Sequence, residues 1–399
     1  MVRNFLISRL TATASSSFTR HKSAQIHLGS LLQHKHSNAF LVFFNSFASD
    51  TKDHPKGDTF TVSYLINSCG LSPELARKVS KRMHLKNPKT PNAVIDLFKN
   101  YGFSKTHLEK LVVKNPRVLV SKAKSTLLPK LEFLFSIGVS NADMPKLLLN
   151  NPGLLRRSLE NVLIPRYEIL KGILGDAHKV VSVLKRAPVS FTYCGMENHL
   201  VPNIKVLRSS CVPQSSISFL MMHFTTVAYA RHSRFEEAVR KVKEFGFDPS
   251  KTSFVMALYV LLSMNEVTWD SRFRVYERWG WNREMFLQAF RKCPHSLKLS
   301  EETITKKMSF LVKDIGLLSE DVAAYPQILA YDLEKRIIPR VSVIKILKLK
   351  GLVKNDLHFS TFMGMKEEMF LQKFLINFLD YLPSLLDVYT GLISHKNVI

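Results

Sequence analysis

The chain has 399 residues, and its 57 Lys and Arg against 32 Asp and Glu give a formal net charge of +25. With 46% hydrophobic and 10% aromatic residues it can bury a full core, which excludes disorder over most of its length. Apolar runs such as residues 254–264 are shorter than the roughly 20 residues that cross a bilayer, so we expect no membrane span. The charge therefore predicts a polyanionic partner.

The N-terminal stretch has the composition of an organellar transit peptide. Arg3, Arg9 and Arg20 accompany a segment rich in Ser and Thr, and no acidic residue precedes Asp50. We expect residues 1–55 to be a disordered transit peptide, and the early arginines favour a mitochondrial over a chloroplast destination. A basic disordered tail with no targeting role is the alternative.

The rest of the chain repeats with a period of about 36 residues. Pairs of prolines 13 or 14 residues apart recur at this interval: Pro116 with Pro129, Pro152 with Pro165, and Pro188 with Pro202. Carried outward, the interval predicts eight units over about residues 62–350. Apolar residues around the second proline recur at spacings of four and three, as in Leu127, Leu131 and Leu134, which is the pattern of one helix face.

Each unit is predicted to contain two helices. The first helix ends just before the first proline, a short turn or 3₁₀ segment follows, and the second proline lies in or near the first turn of the second helix. Glycines in the left-handed conformation are predicted to end several helices: Gly102, Gly138, Gly246, Gly280 and Gly316. One unit cannot bury its apolar face alone, so we predict an all-α superhelical solenoid of stacked units.

Two of these units, residues 114–138 (KNPRVLVSKAKSTLLPKLEFLFSIG) and 150–174 (NNPGLLRRSLENVLIPRYEILKGIL), resemble the repeats of the mitochondrial transcription termination factor (mTERF) family. Residues 370–393 resemble the closing segment of plant members. The resemblance implies an array of about eight repeats, each of two α-helices and a short 3₁₀ helix, over residues 56–393 with a C-terminal capping helix, and a tail at 394–399. It also implies nucleic-acid binding in an organelle, in transcription termination, transcription or intron splicing.

Cations at repeated positions are the candidates for phosphate contacts. The residue after the second proline position is basic in five units, and such a row can follow a phosphate backbone: Lys130, Arg166, Arg272, Lys307 and Arg340. A second set follows the first proline and a third ends the first helix, and from these we predict as further binding residues Arg117, Arg156, Arg157, Lys185 and Arg186. A solvated basic face is the alternative for all three sets, and the helix dipole also explains the third.

The sequence carries no P-loop, dinucleotide-binding, nucleophile-elbow or zinc-protease motif, so we predict no enzymatic activity, no cofactor and no metal site. The four cysteines match neither a disulfide framework nor a short metal-binding spacing, and we expect reduced thiols. Trp279 and Trp281 flank Gly280, and we expect them to form a hydrophobic clasp, although an exposed pair could stack an unpaired base.

The predicted partners are organellar double-stranded DNA or structured RNA, or both, with the transcription or splicing machinery as a further partner, and we expect a monomer. Two other functions stay open. One is a protein-binding scaffold of the HEAT or armadillo kind, and the other is a binder of single-stranded RNA of the pentatricopeptide kind. Both have repeats of similar length, but neither carries the proline couple.

Overall fold

The computed structural model describes residues 59–192 and 195–393. The predicted transit peptide, Cys194 and the tail at 394–399 lie outside the described residues. The described part of the chain is helical and contains no β-strand, in agreement with the predicted all-α fold class. None of its helices has the length and apolar character needed to span a membrane.

Two compact units contain the described residues: the N-terminal unit, residues 59–327, and the C-terminal unit, residues 328–393. In the N-terminal unit the α-helices are α1 (Thr59–Asn67), α2 (Pro73–Ser80), α3 (Lys89–Asn100), α4 (Lys105–Lys114), α5 (Leu128–Ser136), α6 (Met144–Asn150), α7 (Ile164–Leu174), α8 (Ala177–Arg186), α9 (Val201–Ser209), α10 (Gln214–His223), α11 (Thr225–Ala228), α12 (His232–Glu244), α13 (Thr252–Leu262), α14 (Glu266–Glu277), α15 (Arg283–Lys292), α16 (Glu301–Met308) and α17 (Ser319–Ala324). In the C-terminal unit they are α18 (Ile338–Leu349), α19 (Phe359–Met363), α20 (Glu367–Phe370) and α21 (Leu385–Thr390).

Short 3₁₀ and π segments connect these helices. The 3₁₀ helices are Pro116–Val120, Pro152–Arg156, Pro188–Phe191, Pro294–Lys298, Pro326–Ala330 and Ile376–Phe378. The π segments are Ala123–Leu127, Leu159–Leu163, Met196–Leu200, Ser309–Asp314, Leu333–Ile337 and Leu371–Leu375. Within the described residues, five of these six 3₁₀ helices therefore begin at a proline, as the repeat pattern predicts for the first proline of a unit.

The first proline ends the first helix in the way the sequence predicts. Helix α4 begins after Ser104, whose side chain accepts a hydrogen bond from the backbone N–H of His107 at 3.2 Å. It ends at Asn115, which has φ −139° and ψ 73°, outside the helical region that a following proline disfavours. Pro116 then opens the 3₁₀ helix, where its missing N–H costs no hydrogen bond.

The second proline is preceded by a π turn that the sequence pattern does not indicate. The backbone N–H of Leu127 donates to the carbonyl of Lys122 at 3.3 Å, and that of Leu163 donates to the carbonyl of Ser158 at 3.1 Å. Both bonds span five residues instead of four. A proline ring clashes with the carbonyl four residues before it in a regular α-helix. The wider turn relieves this clash, so each second helix continues directly from the π turn through Pro129 or its equivalent.

The predicted inward positions largely form the core of the N-terminal unit. Leu127, Leu131 and Leu134 are each at most 1% exposed, and their equivalents in the next two repeats are also buried. Leu261 and Phe273 occupy apolar positions that are equivalent to buried ones in other repeats, but they are partly exposed, and both lie in a repeat that lacks the prolines. Helix α13 runs through the position where a proline would end the first helix, so the turn that brings the equivalent of Leu261 inward in other repeats does not form there.

The five glycines predicted to end helices all have positive φ values, between 79° and 104°. Gly102 is the most constrained, because a Cβ atom at this position would lie 2.4 Å from the carbonyl oxygen of Asn141. Gly175, with φ +70°, has the same backbone conformation, but a Cβ atom there would have no neighbouring atom within 4 Å. Gly102 therefore serves both the turn and the close approach of the following loop.

Candidate nucleic-acid interface

The row of cations after the second proline position is largely buried, in contrast to the exposed edge that the sequence predicts. Lys130 is 7% exposed, and its Nζ donates to the carbonyl oxygen of Leu155 at 2.7 Å. Arg166 is partly buried, and its Nη1 donates to the carbonyl of Phe191 at 3.0 Å. Both acceptors lie 25 residues further along, at the end of the next repeat's 3₁₀ helix. These two side chains join one repeat to the next.

The residue after the second proline supplies a hydrogen-bond donor to the next repeat, and this donor need not be charged. Asn203 occupies it in the following repeat and is fully buried, and its Nδ2 donates to the carbonyls of Ala228 at 3.0 Å and Ala230 at 2.8 Å. Carbonyl groups at a helix end have no partner within the helix, and a buried carbonyl without a partner costs free energy. Burial lowers the pKa of Lys130, as expected for an ammonium group held away from water.

Three further members of the row are also withdrawn from solvent. Lys307 is 5% exposed. Arg272 is partly buried, and its Nε is a buried donor with no hydrogen-bond partner among the described residues. Arg340, in the C-terminal unit, has no exposed surface; its Nη1 donates to the carbonyl of Phe362 at 2.7 Å, and its Nη2 pairs with Glu367 Oε2 at 2.6 Å. The prediction that this row forms an exposed cationic edge is therefore corrected.

Cations that end the first helices also bond to the next repeat. Lys114 Nζ donates to the carbonyl of Leu149 at 2.8 Å, and Arg186 Nη1 donates to the carbonyl of Met222 at 3.2 Å. Both acceptors lie in the last turn of the neighbouring first helix, where a cation also interacts favourably with the helix dipole. These side chains are still exposed, so their positive charge faces solvent as well.

Lys185 is directed away from that end of the repeat. Its Nζ pairs with Asp143 Oδ2 at 2.5 Å, and Asp143 immediately precedes α6, at the opposite end of that helix from the 3₁₀ segment. The hydrogen bond from Lys185 lowers the pKa of Asp143 below its usual range. Because this ion pair is on the surface, it contributes little stability, but it neutralises the charge of Lys185.

The end of the first helix, the 3₁₀ helix and the start of the second helix lie at one edge of each repeat, which we name the 3₁₀ edge. It runs from the last two residues of the first helix through the first five residues of the second helix, its π turn included, as in residues 113–127. Neighbouring edges touch: besides the bond from Lys114 to Leu149, Arg157 Nη2 lies 3.4 Å from the carbonyl oxygen of Thr192. Successive 3₁₀ edges are thus side by side.

The exposed cations on this edge include the second predicted set and two residues that the sequence pattern missed, Lys122 and Lys124. Arg117 and Arg156 are exposed, and their side chains make no hydrogen bond or ion pair with the described residues. The same holds for Lys122 and Lys124, which precede and begin the π turn. Arg157 is exposed and has the weak bond to Thr192 given above. These guanidinium and ammonium groups are free to contact phosphates.

The charge of the chain is concentrated in the same region. Residues 59–210 contain 24 Lys and Arg against 9 Asp and Glu, so they hold +15 of the formal +25. A surface of this kind attracts a polyanion through its long-range electrostatic field and holds it through local contacts with phosphates. The described part of the chain contains no group of three or more His, Cys, Asp or Glu residues positioned to hold a metal ion.

The tryptophans contribute to packing at a later turn. Trp281 is 2% exposed, stacks on Tyr276 with ring centroids 4.4 Å apart, and donates from Nε1 to Ser319 Oγ at 3.0 Å. Trp279 is partly exposed, and Lys313 Nζ lies 5.5 Å from its ring centroid. The expected clasp is thus observed for Trp281.

Comparison with known proteins agrees with this architecture. The chain matches the model of the mTERF family over residues 95–317 and 252–371, which together cover most of its length. A comparison with curated proteins found no significant match. The family is generally non-enzymatic and consists of helical-repeat proteins that bind nucleic acid in organelles. The chain belongs to the mTERF family of nucleic-acid-binding regulators of organelle gene expression.

Proposed function

We propose that this protein occupies a site on organellar double-stranded DNA or structured RNA and thereby controls transcription termination, transcription or intron splicing. The 3₁₀ edge holds the phosphate backbone, and a few side chains read bases or shape. The observation that carries the proposal is the set of exposed, unpaired cations on neighbouring repeats: Arg117, Lys122, Lys124 and Arg156. Since neighbouring 3₁₀ edges touch, these charges follow one another along a single surface.

The proposal predicts strong and salt-dependent binding. Each phosphate that a cation neutralises releases counterions, so log K falls by about 0.9 per phosphate for each tenfold rise in salt on B-DNA. Fluorescence anisotropy of the full chain with a labelled 30-base-pair duplex, titrated between 50 and 200 mM salt, measures this slope. A Kd that does not change over this range would refute the electrostatic edge.

Competition decides the ligand class. An unlabelled DNA duplex and an RNA hairpin of the same length should displace the labelled ligand at lower concentration than single-stranded RNA of equal charge. Stronger displacement by the single strand would favour a pentatricopeptide-like mode. Recovery of bound proteins that survives nuclease treatment, with no nucleic acid retained, would favour the scaffold alternative.

We further propose a mitochondrial location and removal of a transit peptide at residues 1–55. The Arg-rich, acid-poor composition before Asp50 supports this location, and a chloroplast destination is the alternative. Fusion of residues 1–60 to a fluorescent protein tests the proposed mitochondrial location. Signal that coincides with a mitochondrial dye is the expected result, and diffuse cytosolic signal would contradict it.

A further inference from the structure

We infer that the phosphate-binding surface is confined to the first four repeats of the N-terminal unit and spans about one turn of duplex. The inference rests on the proposed function and adds to it the length of the ligand and the part of the protein that holds it. On the remaining repeats of that unit, basic and acidic residues balance each other along the edge, and these repeats do not contact the backbone of the nucleic acid.

The 3₁₀ edge changes character near residue 210. In the first four repeats, over residues 79–93, 113–127, 149–163 and 185–200, it contains 12 Lys and Arg against 2 Asp and Glu. In the next three, over residues 222–236, 261–270 and 291–305, it contains 5 Lys and Arg against 5 Asp and Glu. A polyanion is attracted by the first stretch and meets no net charge on the second.

Local ion pairs reinforce this difference. Arg240 pairs with Glu237 and Glu244, and Lys241 pairs with Glu266 at 3.0 Å, all within the later repeats. Arg278 pairs with Glu301 at 2.7 Å, and Lys306 pairs with Glu302 at 2.7 Å. Of these carboxylates, Glu266, Glu301 and Glu302 lie on the edge itself, so they would be brought next to phosphates if the nucleic acid continued along it, and like charges repel.

One cation of the later edge, Lys298, is partly buried and bonded to neighbouring side chains. Lys298 Nζ donates to Tyr259 Oη at 2.7 Å and to Ser263 Oγ at 2.9 Å, and lies 3.9 Å from the centroid of the Tyr259 ring. Burial lowers its pKa to about 8. Its equivalents in the earlier repeats include the exposed Arg156. The chain thus uses this position for packing in the later repeats and leaves it to solvent in the earlier ones.

The size of the ligand follows from the stacking of the repeats. Packed helices lie about 8–10 Å apart, so four neighbouring edges span roughly 32–40 Å. Phosphates on one strand of B-DNA are about 3.4 Å apart, so this span corresponds to about 9–12 base pairs. Seven charged edges would instead cover roughly 20 base pairs.

Binding of the full chain to DNA duplexes of 8, 12, 16, 20 and 24 base pairs tests the inference. After correction for the number of binding registers, affinity should rise up to about 12 base pairs and then stay constant. The variant Arg117→Gln/Lys124→Gln/Arg156→Gln should weaken binding by up to about 500-fold at 0.1 M salt relative to the wild type, from about 0.9 decades for each lost contact. A matched variant of three exposed cations on the 3₁₀ edge of the later repeats, Arg231→Gln/Arg234→Gln/Lys292→Gln, should change the Kd less than threefold.

Two other results would overturn the inference. If affinity keeps rising to about 20 base pairs, or if both triple variants weaken binding equally, the surface extends along all the repeats and the proposed function still stands. If no duplex of any length binds, the proposed function fails and the inference with it. Thermal melting of both variants by circular dichroism, expected to match the wild type, shows that the comparison is between folded proteins.

Discussion

A substitution of Lys130 can show whether this side chain stabilises the fold or binds the ligand. Its Nζ donates to the Leu155 carbonyl at 2.7 Å, and the side chain is 7% exposed. In Lys130→Met the stem of the side chain is retained but the donor is lost. A buried carbonyl without a partner costs about 1–3 kcal/mol. We therefore expect the free energy of unfolding to fall by about 1–3 kcal/mol, while Lys124→Met, at an exposed position, changes it by less than about 0.5 kcal/mol.

The affinity for duplex DNA should show the opposite pattern, with a small effect of Lys130→Met and a larger effect of Lys124→Met. Lys130→Met should leave the Kd for duplex DNA unchanged within about twofold under conditions where the protein is folded, because its ammonium group faces protein. Lys124→Met should weaken binding about eightfold at 0.1 M salt if it contacts one phosphate. Urea denaturation followed by circular dichroism and anisotropy titrations measure the two quantities. Lys130→Met could instead weaken binding as much as Lys124→Met and leave the urea midpoint unchanged. Lys130 would then contact the ligand, and its role in joining neighbouring repeats would be refuted.

Other predictions concern stability. Gly102→Ala should lower the free energy of unfolding more than Gly175→Ala. Each substitution places an alanine in the left-handed conformation, which costs about 1–2 kcal/mol, but only Gly102→Ala also brings a Cβ atom against a carbonyl oxygen. Equal urea midpoints for the two variants would contradict the close approach at Gly102. Burial lowers the pKa of His295 to about 4, so between pH 6.5 and 4 the unfolded chain binds the proton and the folded chain does not. Stability should fall with decreasing pH in that window, and His295→Phe should remove about 2 kcal/mol of the loss at pH 5; parallel pH profiles would argue against it. Arg340→Met should cost about 3 kcal/mol or more because it leaves a carboxylate and several carbonyls unpaired, whereas exposed Lys350→Met should be neutral; a similar urea midpoint for both variants would contradict the buried network.

Much of the fold follows from the sequence, because the prolines act locally. Pro116 ends α4 through its effect on Asn115 alone, and the recurring apolar positions around Pro129 need one buried face. The π turn before Pro129 could not be predicted from periodicity, since it shifts the helix by a fraction of a turn and leaves the apolar spacing intact. The exception at Leu261 arises where the prolines are missing and α13 continues.

The site was harder to predict, because a repeated cation looks the same in sequence whether it faces solvent or a neighbouring repeat. Lys130 and Arg117 both recur with the prolines, but the carbonyl of Leu155 comes within reach of Lys130 only when repeats stack. Asn203 at the equivalent position was the available signal, since an amide can replace a donor but not a phosphate-binding charge. Lys124 was missed because it does not recur at a matched offset.

The salt dependence of binding measures how many phosphates the exposed cations of the 3₁₀ edge neutralise. The wild type and the variant Arg117→Gln/Lys122→Gln/Lys124→Gln/Arg156→Gln are titrated with the same DNA duplex between 50 and 200 mM salt. If all four side chains neutralise phosphates, the slope of log K against log salt concentration should be smaller in magnitude by about 3.6 for the variant, from about 0.9 for each contact. Equal slopes for the two folded proteins would contradict the claim that the 3₁₀ edge of the first repeats holds the nucleic-acid backbone.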